Sequence, residues 1–203
     1  MTVIGITGPT GAGKTTALKE LEKLGGYILD ADAVYHQLLE SSIPLRSDLE
    51  ARFGPMEDGA GNFDRKKLGA VVFHDPGALA DLNAITHRYM EKEIRDRLAW
   101  AEKEGRHAAA IDAILLFESG ADRLCGVTVA VTAPPEVRIR RIMAREGISR
   151  DYAQSRVAAQ QGDEFYVERC DYILVNDCTS SEEFGARARC VFQEILAGFE
   201  GKS

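Results

Sequence analysis

Residues 8–15 read Gly8-Pro9-Thr10-Gly11-Ala12-Gly13-Lys14-Thr15, and the predicted fold is built outward from them. The stretch matches G-x-x-x-x-G-K-[ST], the phosphate-binding P-loop. A buried strand is predicted before it, over residues 3–7, and a helix after it, over residues 14–24. The order strand, glycine loop, helix is the one in which this motif binds phosphates, so we predict a nucleotide site in an α/β protein.

Each part of the loop has a physical role. Glycines let backbone N–H groups approach phosphate oxygens closely, and the helix N-terminus adds partial positive charge. Lys14 is expected to reach the β- and γ-phosphates, and the Thr15 hydroxyl is expected to bind Mg²⁺. The predicted nucleotide-binding residues of the loop are Gly8, Gly11, Ala12, Gly13, Lys14, Thr15 and Thr16.

Composition limits the class of protein. The 203 residues suit one α/β domain with insertions, and 45% of them are hydrophobic. The net charge of −7 argues against a nucleic-acid-binding protein. The four cysteines show no C-x-x-C spacing, so we expect reduced thiols in a cytoplasmic protein. We also expect no signal peptide and no association with a membrane.

Further strands are predicted over residues 27–29, 108–117, 127–132 and 172–175, and helical stretches alternate with them. This order predicts a five-stranded, doubly wound parallel sheet with flanking helices. We assign residues 1–203 to a single domain, with a core of about 1–40, 106–135 and 166–203, a helical insertion of about 41–105 and a helical lid of about 136–165.

The insertion is predicted from capping signals and amphipathic patterns. Pro44 is expected to open one helix, and Asp64 to cap another. A long helix is predicted from about Pro76 to Lys103, with a break near Thr86.

Asp32, which lies outside the insertion, directly follows the second predicted strand. In sheets of this kind ligands bind at the carboxyl ends of the strands. We therefore expect Asp32 to face the P-loop.

An arginine-rich helix is predicted after the fourth strand. Arg138, Arg141 and Arg145 are spaced i, i+3, i+7 and therefore share one face. The face is either a solvated basic surface or a lid that closes over nucleotide phosphates. The acidic composition of the rest of the chain favours the lid.

The P-loop alone does not define the reaction. A GTPase would carry N-K-x-D where this chain has Asn176 followed by Asp177 and Cys178. A larger ATPase of the AAA type would have a longer chain and an acidic pair where Asp112 is followed by Ala113. A short chain with an insertion and an arginine lid is most typical of a small-molecule kinase that uses ATP.

The chain resembles the dephospho-coenzyme A kinase family over nearly its whole length. The segments that carry the resemblance are Asp30-Ala31-Asp32-Ala33-Val34, Gly61-Asn62-Phe63-Asp64-Arg65-Lys66-Lys67-Leu68, Leu82-Asn83-Ala84-Ile85-Thr86-His87, Leu115-Leu116-Phe117-Glu118, Arg141-Ile142-Met143-Ala144-Arg145 and Ala159-Gln160, with Asp171 and Asn176 further on. Two positions depart from the family pattern, since Arg88 and Ile114 stand where the family usually has proline.

The resemblance implies ATP-dependent phosphorylation of the ribose 3′-hydroxyl of dephospho-coenzyme A, the last step of coenzyme A synthesis. Asp32 would be the general base, although a helix N-cap is its alternative role. Lys14, Arg141 and Arg145 would stabilise the transferring group, and Asn176 would lie near adenine. Contacts to the acceptor are implied for Asp32, Arg65, His87, Leu115 and Phe117.

The sequence leaves open the roles of two residues and the choice among three classes of protein. His87 is equally well explained as a structural histidine, and Asp112 as either a partner of the metal site or a polar residue tolerated at a strand end. Two other classes are a different small-molecule kinase, of the nucleoside or shikimate type, and a nucleotide-dependent regulatory protein without transfer chemistry. We expect a monomer or a weak homo-oligomer.

Overall fold

The computed structural model describes residues 1–59 and 62–200, with the side chains of residues 1–59 and 62–199. Gly61, the first residue of one family-like segment, lies outside the described residues. The chain divides into two compact units, one of residues 1–29 and 100–203 and the other of residues 30–99.

The first unit is built on a five-stranded parallel sheet with the order β2-β3-β1-β4-β5, which confirms the predicted α/β class. The strands are β1 (Thr2–Thr7), β2 (Tyr27–Asp30), β3 (Ala108–Asp112), β4 (Val127–Thr132) and β5 (Tyr172–Val175). The central strands are mostly apolar, as expected of strands covered on both faces, and Ile4, Ile6 and Val129 are completely buried.

The helices of this unit cover the sheet and form the lid segment. They are α1 (Lys14–Lys23), α6 (Pro135–Glu146), α7 (Arg150–Ala158), α8 (Asp163–Val167) and α9 (Ser181–Glu200), with a 3₁₀ turn over Ala121–Leu124. In the lid segment, Ile139 and Ile142 of α6 pack against Ala153 and Val157 of α7 in a small apolar core of their own. These two helices therefore form one packed pair.

The predicted third strand was too long. β3 ends at Asp112, which pairs with Ile6, and the N–H of Ala113 still donates to the carbonyl of Ile6 at 3.0 Å. β1 ends at Thr7, and the glycine loop begins at Gly8. Beyond Ala113 the chain therefore has no residue of β1 left to pair with. The apolar run continues as turns in which Leu116 is buried and Leu115 is 60% exposed.

The second unit is helical. It contains α2 (Ala31–Ser41), α3 (Ile43–Phe53), α4 (Arg65–Val72) and most of α5 (Pro76–Lys103). Its core consists of Leu39, Leu45, Leu49, Met56, Leu68, Val72, Ala78 and Leu82. The unit begins at Asp30, so it includes α2, a helix that the sequence analysis assigns to the core; the predicted bounds of core, insertion and lid stay a prediction.

Capping determines where these helices begin. The carboxylate of Asp64 accepts from the N–H groups of Lys66 and Lys67 at 2.9 and 3.0 Å, which confirms the predicted cap. α3 begins at Ile43, one residue before the predicted Pro44, with Ser42 as its N-cap.

The predicted break in α5 was wrong. The helix runs without interruption through Thr86, whose hydroxyl donates to the carbonyl of Leu82 at 2.8 Å inside the helix. Arg88 supplies a backbone N–H where a proline would have none, so the helix continues. Among the described residues, no helix has both the length and the apolar character needed to cross a membrane.

Candidate active site

The loop between β1 and α1 turns at three glycines with left-handed backbone conformations. Gly8, Gly11 and Gly13 have φ angles of 132°, 83° and 111°. A Cβ at Gly8 would lie 2.0 Å from the carbonyl oxygen of Val131, and one at Gly13 would lie 2.3 Å from Nδ2 of Asn176. The conformation and the lack of space both require glycine there.

The N-terminus of α1 completes the loop as an anion site. Gly13 is the N-cap and brings no side-chain cap, and the positive end of the helix dipole lies at the loop. The ammonium of Lys14 donates to the carbonyl of Gly8 at 2.9 Å. Thr15 is exposed on the first turn, and Thr16 is half-buried and donates its N–H to Gly13 at 3.0 Å.

These residues fit a nucleotide with Mg²⁺. Positive-φ glycines and a helix N-terminus form a concave set of donors for phosphate oxygens. The exposed hydroxyl of Thr15 is the oxygen type that Mg²⁺ takes from a protein when substrate phosphates and water supply its other ligands.

Two arginines of α6 donate hydrogen bonds to backbone carbonyls of the P-loop. Nε of Arg138 donates to the carbonyl of Thr10 at 3.1 Å, and Nη1 of Arg141 donates to the carbonyls of Gly11 and Ala12 at 3.2 Å each. In a trans peptide the C=O and the following N–H point in opposite directions. The N–H groups of Gly11 and Gly13, which follow the bound carbonyls of Thr10 and Ala12, therefore point away from the two arginines, whereas the N–H of Ala12 donates to the carbonyl of Pro9 at 3.2 Å.

Asn176 supports the loop from the end of β5. It is 4% exposed, and its own N–H donates to the carbonyl of Thr132 at 2.7 Å. Its Nδ2 donates to the carbonyl of Ala12 at 2.7 Å, and its Oδ1 accepts from Nη2 of Arg141 at 3.1 Å. Both polar atoms of the side chain are thus engaged with the loop and its arginine, while the predicted contact with adenine stays a prediction.

The three arginines of the predicted face do not share one environment. Arg138 is 4% exposed and Arg141 is half-buried, and burial lowers the pKa of both guanidinium groups. Arg145 is exposed and donates to Oε1 of Glu146 at 2.6 Å. A solvated basic face is therefore wrong for Arg138 and Arg141 and describes only Arg145.

Asp32 lies exposed on the first turn of α2, but it is not the cap of that helix. The cap is Asp30, whose carboxylate accepts from the N–H of Ala33 at 2.9 Å. The N-cap alternative for Asp32 is therefore wrong, and its assignment as general base stays a prediction.

In the same helical unit Arg65 lies beside His36, a residue without a predicted role. Nη2 of Arg65 is 3.4 Å from Nε2 of His36, and Tyr35 lies next to that ring, with centroids 5.6 Å apart. Asp32 and His36 are four residues apart on α2 and therefore share one face of that helix, but this spacing gives no signal for the contact of His36 with Arg65. His87 is half-buried on α5, and burial lowers its pKa, which favours the neutral ring.

Leu115 and Phe117 lie in the turns that follow β3. The hydroxyl of Thr7 donates to the carbonyl of Ile114 at 3.1 Å and fixes the start of these turns. Leu115 is exposed, and the ring of Phe117 meets that of Phe165 edge to face at 6.1 Å. Their contacts with an acceptor, and the role of Asp112 at the end of β3, stay predictions.

Comparison with known proteins identifies the relatives of this chain. A family model described as dephospho-CoA kinase matches residues 2–182. A dephospho-CoA kinase of Anaeromyxobacter dehalogenans is 37% identical over 201 residues, covering 98% of this chain and 94% of the relative. One of Symbiobacterium thermophilum is 36% identical over 177 residues, covering 87% of this chain and 74% of the relative.

Several solved structures are similar to this chain in fold. The crystal structure of TT1252 from Thermus thermophilus has a TM-score of 0.79 at 33% identity, covering 97% of both chains. A dephospho-CoA kinase from Campylobacter jejuni has a TM-score of 0.62 at 25% identity, covering 96% of this chain and 97% of its own. A shikimate kinase from Bacteroides thetaiotaomicron, at 19% identity with a TM-score of 0.51 and coverage of 97% and 98%, shares the fold.

Proposed function

The chain belongs to the dephospho-CoA kinase family, and we propose that it transfers the γ-phosphoryl group of ATP to the ribose 3′-hydroxyl of dephospho-coenzyme A. The products are ADP and coenzyme A, so the reaction is the last step of coenzyme A synthesis. The chemistry is inferred chiefly from the glycine loop, whose glycines adopt positive φ angles before the N-terminus of α1 and whose carbonyls are bound by Arg138 and Arg141. Family membership supports the choice of acceptor.

The loop supports positioning and electrostatic stabilisation, which are most of what phosphoryl transfer requires. The N-terminus of α1 and Lys14 would hold the β- and γ-phosphates of ATP. Mg²⁺ bound at Thr15 would neutralise charge that develops on the phosphate oxygens. Arg141 and Arg145 would stabilise the transferring group, since a guanidinium fork fits phosphate oxygens.

Asp32 would act on the acceptor. Its carboxylate would accept the proton of the ribose 3′-hydroxyl as that oxygen bonds to the γ-phosphorus and the bond to ADP breaks. Arg65 and His87 would contact polar groups of the acceptor, and Leu115 and Phe117 its apolar surfaces. A cytoplasmic location and a monomer or weak homo-oligomer are part of the same proposal.

Turnover with a panel of acceptors tests this proposal. ADP release from ATP and Mg²⁺ is measured with dephospho-coenzyme A, shikimate and a nucleoside, and with no acceptor as the blank. We expect acceptor-dependent release with dephospho-coenzyme A alone. Turnover of shikimate or the nucleoside without dephospho-coenzyme A would support a different kinase, and no transfer across the panel would support a regulatory nucleotide-binding protein.

A further inference from the structure

All three backbone and side-chain polar groups of Thr10 are bound by two residues of the lid segment. The N–H of Thr10 donates to Oε1 of Gln160 at 3.1 Å, and its hydroxyl accepts from Nε2 of Gln160 at 2.9 Å. Its carbonyl accepts from Nε of Arg138 at 3.1 Å. Nη2 of Arg138 also donates to Oε1 of Gln160, which closes the set. We call these three residues the Thr10 latch.

We propose that Gln160 and Arg138 are positioning residues for the nucleotide: they fix the conformation of the P-loop through Thr10 and couple that conformation to the position of the lid. This inference rests on the proposed function as far as the site binds ATP. Neither residue needs to touch the phosphates, because each would act through the orientation of the Thr10 peptide groups.

The orientation of the glutamine amide follows from its neighbours. The N–H of Thr10 and the guanidinium of Arg138 can only donate, so the oxygen of the amide must face both of them. Nε2 is then directed to the hydroxyl of Thr10. A single side chain thus accepts two hydrogen bonds and donates one, a combination that requires both a carbonyl and an amide N–H on one group.

Burial makes the latch energetically important. Arg138 is 4% exposed, and a buried guanidinium is stable only when acceptors satisfy its N–H groups. Thr10 and Gln160 supply acceptors for two of its five N–H groups, one on Nε and one on Nη2. Removal of one partner would leave a buried donor unsatisfied, which costs more than the net value of the bond.

The latch also connects the start of α6 and the segment just after α7 to the P-loop. Arg138 lies in the first turn of α6, and Gln160 follows the last residue of α7 by two positions. Because α6 and α7 pack together through Ile142 and Val157, they are expected to move as a pair. A displacement of that pair would shift Thr10 through its hydrogen bonds to Arg138 and Gln160. A movement of the lid would therefore change the conformation of the P-loop.

Calorimetric titration with ADP, in the absence of any acceptor, tests the latch. Gln160→Met keeps the size of the side chain but removes its hydrogen bonds, and we expect about tenfold weaker ADP binding. Thr10→Val removes only the hydroxyl and should also weaken binding, whereas Thr10→Ser should keep more of the affinity. Gln161→Met is the matched control, since Gln161 is the next residue and is exposed.

The double variant Thr10→Val/Gln160→Met shows whether the two residues act together or affect ADP binding independently. If Gln160 acts through Thr10, Thr10→Val should cost much less affinity in the Gln160→Met background than alone. In steady-state turnover, the KM for ATP should rise while the KM for the acceptor stays the same. Additive losses, or an ADP affinity equal to that of Gln161→Met, would overturn the proposal.

Three further outcomes are distinguishable. If Gln160→Met fails to fold, Thr10→Val against Thr10→Ser decides, and equal ADP affinities for these two would overturn the latch. If the coupling is present but dephospho-coenzyme A is not phosphorylated, the latch stands and only the proposed acceptor fails. No ADP binding by the unaltered protein would contradict both.

Discussion

The side chain of Asn176 is shared between Arg141 and the P-loop: its oxygen accepts from the guanidinium at 3.1 Å, and its amide nitrogen donates to the carbonyl of Ala12 at 2.7 Å. One buried amide thus joins the end of β5, helix α6 and the phosphate loop. The conformation of the loop depends on this amide as well as on its own glycines.

Asn176→Asp should therefore destabilise the protein. A carboxylate keeps the acceptor for Arg141 but places a second oxygen against the carbonyl of Ala12, where a donor is required. A buried hydrogen bond replaced by such a contact costs about 1–3 kcal/mol. Thermal unfolding should show a lower Tm for Asn176→Asp, and ADP binding should weaken with it. The control is Asn83→Asp, an exposed position at which the same exchange should leave Tm nearly unchanged.

Local sequence signals predicted the elements well and the tertiary contacts poorly. The P-loop, the strand order in the chain and the cap at Asp64 each follow from a few adjacent residues. β3 was predicted too long because an apolar run shows burial but not where a partner strand ends. The contact of Thr10 with Gln160 joins residues 150 positions apart, and no local pattern encodes it.

The arginines of α6 illustrate the same limit. Their i, i+3, i+7 spacing correctly predicted a common helix, but it could not distinguish Arg141, which is bound to loop carbonyls, from Arg145, which is paired with Glu146. The side-chain length of arginine lets neighbouring positions reach different partners. Their environments are therefore a property of packing, not of spacing.

Arg141 and Arg145 should differ when each is replaced by alanine. Arg141→Ala removes the bonds to Gly11 and Ala12, so ADP affinity should fall about tenfold and kcat should fall with it. Arg145→Ala should keep the ADP affinity and lower kcat about 10²-fold, since its charge would act mainly in the transition state. Arg140→Ala, an exposed position on the same helix, is the control. A wild-type kcat in Arg145→Ala, or an unchanged ADP affinity in Arg141→Ala, would contradict these assignments.

Asp32→Asn isolates the general base, because Asp30 is the cap of α2 and remains in place. Asparagine has the size of aspartate but cannot accept the proton, so kcat should fall roughly 10²- to 10⁴-fold. ADP affinity should stay the same, and Tm should change no more than in Asp151→Asn, which alters an exposed aspartate in the first turn of α7. A loss of less than about tenfold in kcat would mean that Asp32 does not act as the base.

An ion pair between α1 and α9 should make stability depend on pH. Hydrogen bonds from Lys23 and Arg189 lower the pKa of Glu20 below its ordinary value of 4.5. The pair therefore contributes stability above the pKa of the unfolded chain, and this contribution is lost as the pH falls through the lower folded pKa. The difference in Tm between the wild type and Glu20→Gln should be larger at pH 7 than in acid.

The matched control for the ion pair is Glu22→Gln, which changes an exposed glutamate on the same helix. Its Tm should differ little from that of the wild type at either pH. A Tm difference for Glu20→Gln that stays constant from neutral to acidic pH would show that the pair contributes nothing through the ionised carboxylate.

In the proposed reaction the phosphoryl group goes from ATP to the ribose 3′-oxygen of dephospho-coenzyme A. The most direct measurement is phosphorus NMR, with mass spectrometry, of the product formed by the purified protein from ATP, Mg²⁺ and dephospho-coenzyme A. We expect ADP and a single new phosphomonoester on the ribose 3′-oxygen. A phosphate on any other atom, or unreacted dephospho-coenzyme A from a protein that phosphorylates shikimate or a nucleoside, would contradict it.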